Sequence, residues 1–339
     1  MNKTQGEKLV APSLKAFMQN LIDYAGLFPP AQLPMDQAIK NFLLYKQKAD
    51  AWMLSRFICP AARLEELADF KKDILSTEKH LPLSILGRGG KNHDEFMKNL
   101  FADFDDVESF MKMIDNHAQI TVFETKIPQP LIDLNDAENV EFFLESAADI
   151  IECRVGENIQ PFYEANFSGD WRSRNDQVIA GISSHIQTSQ KNHKRIHCQP
   201  TGFKIRCGGI EAAAFPTTEQ ISYVLNLCRE KSVPFKATAG LHHPVRHYNE
   251  SVQTKMHGFF NLFCAGILAV LHELKEEQIR KIIEEENPEN FIFSDSDFRW
   301  KNLKATASQI KNLRKNFAIS YGSCSFDEPR EDLKILGLI

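Results

Sequence analysis

Two lysines placed alike carry the first chemical signal in the sequence. Lys204 lies in Gly202-Phe-Lys-Ile-Arg-Cys207 and Lys236 in Val233-Pro-Phe-Lys-Ala-Thr238. Side chains alternate across a strand, so Lys204 and Arg206 share one face, and Phe203, Ile205 and Cys207 take the other. Lys236 and Thr238 share a face opposite Phe235 in the same way. A lysine amine is protonated at neutral pH, but a neighbouring cation and a dry pocket lower its pKa and free it to attack a carbonyl. The Schiff base so formed is an electron sink for making or breaking a carbon–carbon bond.

The same parity pairs Glu124 with Lys126 and Glu152 with Arg154, while Arg56 and Arg88 add two cations. Glu124 and Glu152 are then the carboxylates available to move protons. Buried charges need partners, and an internal ion-pair network that only holds strands in register is the competing reading. Cations outnumber anions in this set, which predicts an anionic ligand held by Arg56, Arg88, Lys126, Arg154, Arg206 and Thr238.

His242-His243-Pro-Val-Arg-His247 follows the Lys236 segment directly, and His257 lies ten residues further on. His242 reads as a proton shuttle, with His243, Arg246 and His247 as further anion contacts. The alternative is a divalent metal such as Zn or Mn on His242, His243 and His247 with Glu124 or Glu152, although neither an HxH strand nor an HExxH helix is present. Otherwise no cofactor is implied. His193 and His197 fall in a polar stretch and read as exposed. Ser323 and Ser325 in Gly322-Ser-Cys-Ser-Phe326 read as an ordinary turn rather than an anion cradle. Cys207, by parity, reads as a packed, inert thiol.

Elements must exist to position these groups. Short apolar runs at 51–59, 82–86, 119–125, 149–154, 202–207, 233–238, 258–263 and 290–294 predict eight strands. Amphipathic stretches at 63–74, 94–115, 136–147, 177–187, 217–231 and 306–316 predict helices, the fifth opening on Pro216-Thr-Thr-Glu219. Strand and helix in alternation predict an α/β fold, a (β/α)8 barrel, over residues 51–320. Residues 1–50 read as a helical extension packed on the barrel, with Phe28-Pro-Pro-Ala31 as a rigid loop over one mouth, and 321–339 as a tail. The stretch from 162 to 195 reads as holding an insertion loop.

The chain has 339 residues, 43% hydrophobic and 25% charged, which is material for a sizeable core. Its formal net charge of −5 argues against nucleic acid as a partner. Seven cysteines without a CxxC pair indicate a reducing compartment. The polar start reads as no signal peptide, and the longest apolar stretch is too short to span a bilayer, so a cytoplasmic protein, possibly a homo-oligomer, is expected.

Phe203-Lys204-Ile-Arg-Cys-Gly-Gly209 and Phe235-Lys236-Ala-Thr-Ala-Gly240 resemble the lysine-bearing strands of class I aldolases of the deoxyribose-phosphate aldolase type, whose motifs read roughly Lys-Thr-Ser-Thr-Gly and Lys-Ala-Ser-Gly-Gly. The resemblance spans about 40 residues. It implies a Schiff-base barrel with Lys204 as the nucleophile and Lys236 as the neighbour that lowers its pKa. The whole chain also resembles a family of bacterial barrel proteins without an assigned activity, sharing Asp23-Tyr-Ala-Gly-Leu-Phe-Pro-Pro, Phe235-Lys-Ala-Thr-Ala-Gly-Leu-His-His-Pro and Gly322-Ser-Cys-Ser-Phe. The expectation is an aldolase-like lyase acting on a small anionic carbonyl compound. The rivals are a metal-dependent lyase, isomerase or hydrolase and a non-catalytic barrel that binds an anionic metabolite.

Overall fold

The computed structural model describes residues 9–155, 158–191 and 199–339. Eight parallel strands close into a barrel: β1 (Ile22–Tyr24), β2 (Leu54–Pro60), β3 (Leu81–Leu86), β4 (Ala118–Lys126), β5 (Gln160–Glu164), β6 (Gly202–Arg206), β7 (Phe235–Thr238) and β8 (Ala318–Ser323). Neighbours follow chain order around the ring, and β8 pairs with both β7 and β1 to close it. The fold is a (β/α)8 barrel.

Helices return the chain between strands. They include Met35–Tyr45, His93–Met113, Ala137–Val155, Trp171–Lys191 and Thr218–Glu230. The last opens on a reciprocal cap, in which Thr217 accepts from the Gln220 amide and Gln220 reaches back to the Thr217 amide. The outward strand residues bury against this ring. Phe203, Ile205 and Phe235 are inaccessible to solvent, and Phe235 packs at 5.5 Å from Phe263 of the helix Phe259–His272. Gly266 of that helix permits the approach, since a Cβ there would lie 2.8 Å from the Phe235 ring.

Three expected strands are not barrel strands. The run at 149–154 ends the helix Ala137–Val155, whose buried Val140, Phe143, Leu144, Ala147 and Ile151 repeat at helical spacing. The run at 258–263 opens the helix Phe259–His272, buried on nearly every side and therefore without an amphipathic signature. The run at 290–294 forms Phe291–Phe293 of a three-stranded antiparallel sheet outside the ring. Their places are taken by β1, β5 and β8. The chain before residue 50 is thus more than an extension, because it supplies β1, and β8 runs past the expected boundary at 320. The stretch read as an insertion contributes β5 and the helix Trp171–Lys191. His193, His197 and Cys198 lie outside the described residues.

Between β7 and β8 the chain places a hairpin (His247–Asn249 with Thr254–Met256), three helices (Phe259–His272, Glu276–Ile283 and Ala307–Asn316) and the three-stranded sheet. At the amino end of β8, Arg314 is buried, donating to the carbonyls of Phe17 (2.8 Å), Ala318, Ile319 and Gln19 (3.3 Å). It ties the helix Pro12–Met18 to β8.

Candidate active site at the carboxyl ends of the strands

Parity places Lys204 and Lys236 inside the ring, and strand register sets them side by side. Lys204 pairs across β6 and β7 with Lys236, and across β5 and β6 with Glu164. Both amines reach the same carboxylate. The Lys204 Nζ lies 3.1 Å from Glu124 and 3.3 Å from Glu164, and the Lys236 Nζ lies 3.3 Å from the other Glu124 oxygen. Lys236 also donates to Asp23, in close contact, and to Ser320 at 3.2 Å.

The result is a ladder of alternating charge across the interior: Glu164, Lys204, Glu124, Lys236, Asp23. A guanidinium stands at each end. Arg206 Nε donates to Glu164 at 3.0 Å, and Arg56 donates to Asp23 at 3.2 Å while its Nε donates to Thr121 at 2.6 Å. Ser84 and Ser320 donate to Glu124 (2.6 Å) and Asp23 (2.7 Å), filling acceptor sites that the ammoniums leave. Asp23 and Glu164 are the two anions that strand parity did not place in the interior set. Once they are counted, the ladder with its ends carries one more cation than anions.

Burial and charge oppose each other along this ladder. Burial alone would push Asp23 up, but Lys236 and Arg56 outweigh it and hold the carboxyl at about 2. Burial likewise works against ionisation of Glu124 and Glu164, and the ammoniums around them hold both below the ordinary carboxylate range. Burial would lower Lys204, but Glu124 and Glu164 together hold it above the ordinary lysine range. The resting state is therefore an ammonium on Lys204, not a free amine.

Only part of the ladder reaches solvent space. A cleft of about 500 Å³ opens at the carboxyl ends of β3 to β6, with Glu164, Lys204 and Arg206 on one side. Lys236, with no exposure, does not line it. The opposite wall is the turn after β3, Gly87-Arg-Gly-Gly-Lys91, where Gly89 adopts a φ of +69°. Lys126 stands at the rim, two-thirds exposed, 3.7 Å from Glu164. Cations outnumber carboxylates along the walls, in a chain whose overall charge is negative.

Several expected contacts lie elsewhere. Glu152 and Arg154 sit on the outer helix Ala137–Val155 rather than on a strand, and Arg154 is bound by Glu108 at 2.7 Å and by Asp105. Arg88 lines the cleft but is clasped by Asp103 and Asp106. Arg246 turns to Glu286. Thr238 is a register partner of Arg206, half-buried. The histidines are held one by one: His242 Nδ1 to Glu328 (2.8 Å), His243 Nδ1 to Asp332 (2.6 Å), and His247 Nδ1 to the Val245 carbonyl (3.1 Å). Among the described residues no three of His, Cys, Asp or Glu form a group that could hold a metal ion. His257 is buried against the Pro216 carbonyl at 2.7 Å. Cys207 is buried, and burial pushes its thiol up. Phe28-Pro-Pro-Ala31 follows β1 and so belongs to the same end of the barrel as the cleft. No helix among the described residues is long and apolar enough to cross a membrane.

No family model matches the chain. No curated protein matches it either. Among solved structures, the "GH6 Orpinomyces sp. Y102 enzyme" is similar over 69% of this chain and 74% of its own, at 12% identity and a TM-score of 0.36. A likeness that low says nothing about chemistry.

Proposed function

We propose that the protein is an enzyme, an aldolase-like lyase that binds a small anionic carbonyl compound in the cleft and reacts with it through Lys204. One observation carries this reading. Lys204 is the interior ammonium that lines the cleft, and it touches two carboxylates that can take its proton. Enzymes on this fold keep their chemistry at this end of the barrel.

The reaction begins from the ammonium. Glu164 has two other cationic partners, Arg206 and Lys126, so it can turn to them as the substrate enters. Lys204 is then left between Glu124 and a cation-lined wall, and it passes its proton to Glu124. The freed amine adds to the carbonyl carbon, and loss of water gives the iminium. Cleavage of the adjacent carbon–carbon bond sends its electron pair into the iminium, and Glu164 takes the proton of the departing hydroxyl. Arg206 and Lys126 hold the substrate anion. Lys236, fixed by Asp23 and Ser320, holds Glu124 aimed at Lys204. Divalent-metal chemistry on the histidine loop has no observation in its favour.

Borohydride reduction with a panel of short aldehydes and keto acids, followed by peptide mass mapping, tests the reading. A reduced adduct on Lys204, lost in Lys204→Met, is expected. No adduct, or one confined to Lys236, sinks it, and calorimetric binding of the same compounds without turnover would identify a binding barrel instead.

A further inference from the structure

The Gly322-Ser-Cys-Ser-Phe326 segment plays no part in the Lys204 chemistry. Cys324 follows β8 directly, and its Sγ lies 4.0 Å from both ring nitrogens of His242 in the loop after β7. The ring is also held by Glu328, which Nδ1 meets at 2.8 Å. Glu328 is itself fixed, since its amide donates to Ser325 Oγ at 3.1 Å. A thiol, an imidazole and a carboxylate from three separate elements therefore stand together. Glu328 takes Nδ1, which leaves Nε2 for the sulfur.

We propose that Cys324 is a nucleophilic thiol activated by His242 and Glu328, and that it reacts with a small peroxide. The imidazole takes the thiol proton and the carboxylate stabilises the imidazolium. Burial works against a charged His242, yet Cys324 and Glu328 raise its pKa to about 9. Sulfur then attacks one peroxide oxygen, the O–O bond breaks, and the imidazolium proton goes to the departing oxygen. The thiol becomes a sulfenic acid, and hydrogen peroxide becomes water. Cys324 and His242 each keep about a tenth of their surface open to solvent.

The other described cysteines have no such arrangement. Burial pushes the thiols of Cys59, Cys207, Cys228 and Cys264 up, and Cys153 is exposed on an outer helix. Cys153 is thus an internal reference for an accessible thiol.

The test is hydrogen peroxide added to the native full-length protein with dimedone present, each cysteine peptide being read separately by mass spectrometry. Cys324 is expected to acquire dimedone roughly tenfold faster than Cys153 or more. In His242→Gln or Glu328→Gln the rate is expected to fall to that of Cys153. A Cys324 rate no higher than that of Cys153 in the wild-type protein overturns the proposal, whether or not the variants fold. A fast Cys324 that is indifferent to both substitutions in folded variants overturns it as well.

Discussion

Lys204 and Lys236 are register partners on adjacent strands, yet a single carboxylate, Glu124, stands between their ammonium groups. The two lysines differ in what else surrounds them. Lys236 has no exposure and is enclosed by Asp23, Glu124 and Ser320. Lys204 borders the cleft, and its carboxylates have other cations to turn to.

That difference sets an order of stability. Lys236→Met removes the cation from between two buried carboxylates, and breaking a buried pair destabilises by about 3–5 kcal/mol. Lys204→Met leaves Glu164 with Arg206 and Glu124 with Lys236, so its loss is expected to be the smaller. Chemical denaturation of the two variants checks this, and a larger loss for Lys204→Met would contradict the asymmetry.

The acid limb of stability follows from the same ladder. Asp23 titrates at about 2 in the folded chain, below the ordinary 3.8. A depressed carboxyl pKa adds stability that is present above the unfolded pKa and is lost as pH falls through the folded one, here from about 4 down to 2. The contribution is about 2 kcal/mol, and the lowered carboxyls of Glu124 and Glu164 act with the same sign. Thermal melts from pH 5 to pH 2 should fall steeply in the wild type and more gently in Asp23→Asn.

An alkaline limb is expected from His242, whose folded pKa of about 9 lies above the ordinary 6.5. Here the sign reverses: the stabilisation is complete below pH 6.5 and is lost as pH rises through 9. Its size is below about 3 kcal/mol, because a proton that His242 takes from Cys324 is not taken up from solvent. Melts between pH 6 and pH 10 should decline over that window, and Glu328→Gln should flatten the decline.

The inward set was legible in the sequence because parity needs only a correct strand, and the strands bearing Glu124, Lys204 and Lys236 are apolar enough to be found. Asp23 and Glu164 were not legible as members of that inward set, for a physical reason. β1 is three residues long, too short for alternation to register, and β5 begins Gln-Pro, a combination that reads as loop. Glu152 and Arg154 were misplaced because Ala-Asp-Ile-Ile-Glu-Cys, taken alone, satisfies a strand, and only the longer spacing back to Val140 shows a helix. The pairing of Cys324 with His242 joins residues 82 apart and has no local signature.

Arg206 should govern ligand affinity more than stability. It is nearly half exposed, contacts Glu164 and the Gly208 carbonyl, and faces the cleft. A hydrogen bond to a charged ligand is worth about 1.5–3 kcal/mol, so Arg206→Met should weaken binding of a short keto acid by about ten- to a hundredfold. Isothermal calorimetry reads this directly, and an unchanged Kd would remove Arg206 from the site.

Arg314 tests how the far end of the barrel is closed. Its guanidinium satisfies carbonyls of Phe17, Gln19, Ala318 and Ile319, at the end of the helix Pro12–Met18 and the start of β8. Burial lowers its pKa to about 9, against the pull of Asp23, so the charge is held there at a cost. Arg314→Met removes the donors and leaves buried carbonyls unpaired, at about 1–3 kcal/mol for each group that water does not reach. Arg314→Lys restores a charge on a single nitrogen, which cannot spread to four acceptors. Both variants should therefore melt well below the wild type, with lysine giving little rescue, and hydrogen exchange should rise first in β1 and β8. Full rescue by lysine would show that the charge, and not the fan of hydrogen bonds, closes this end.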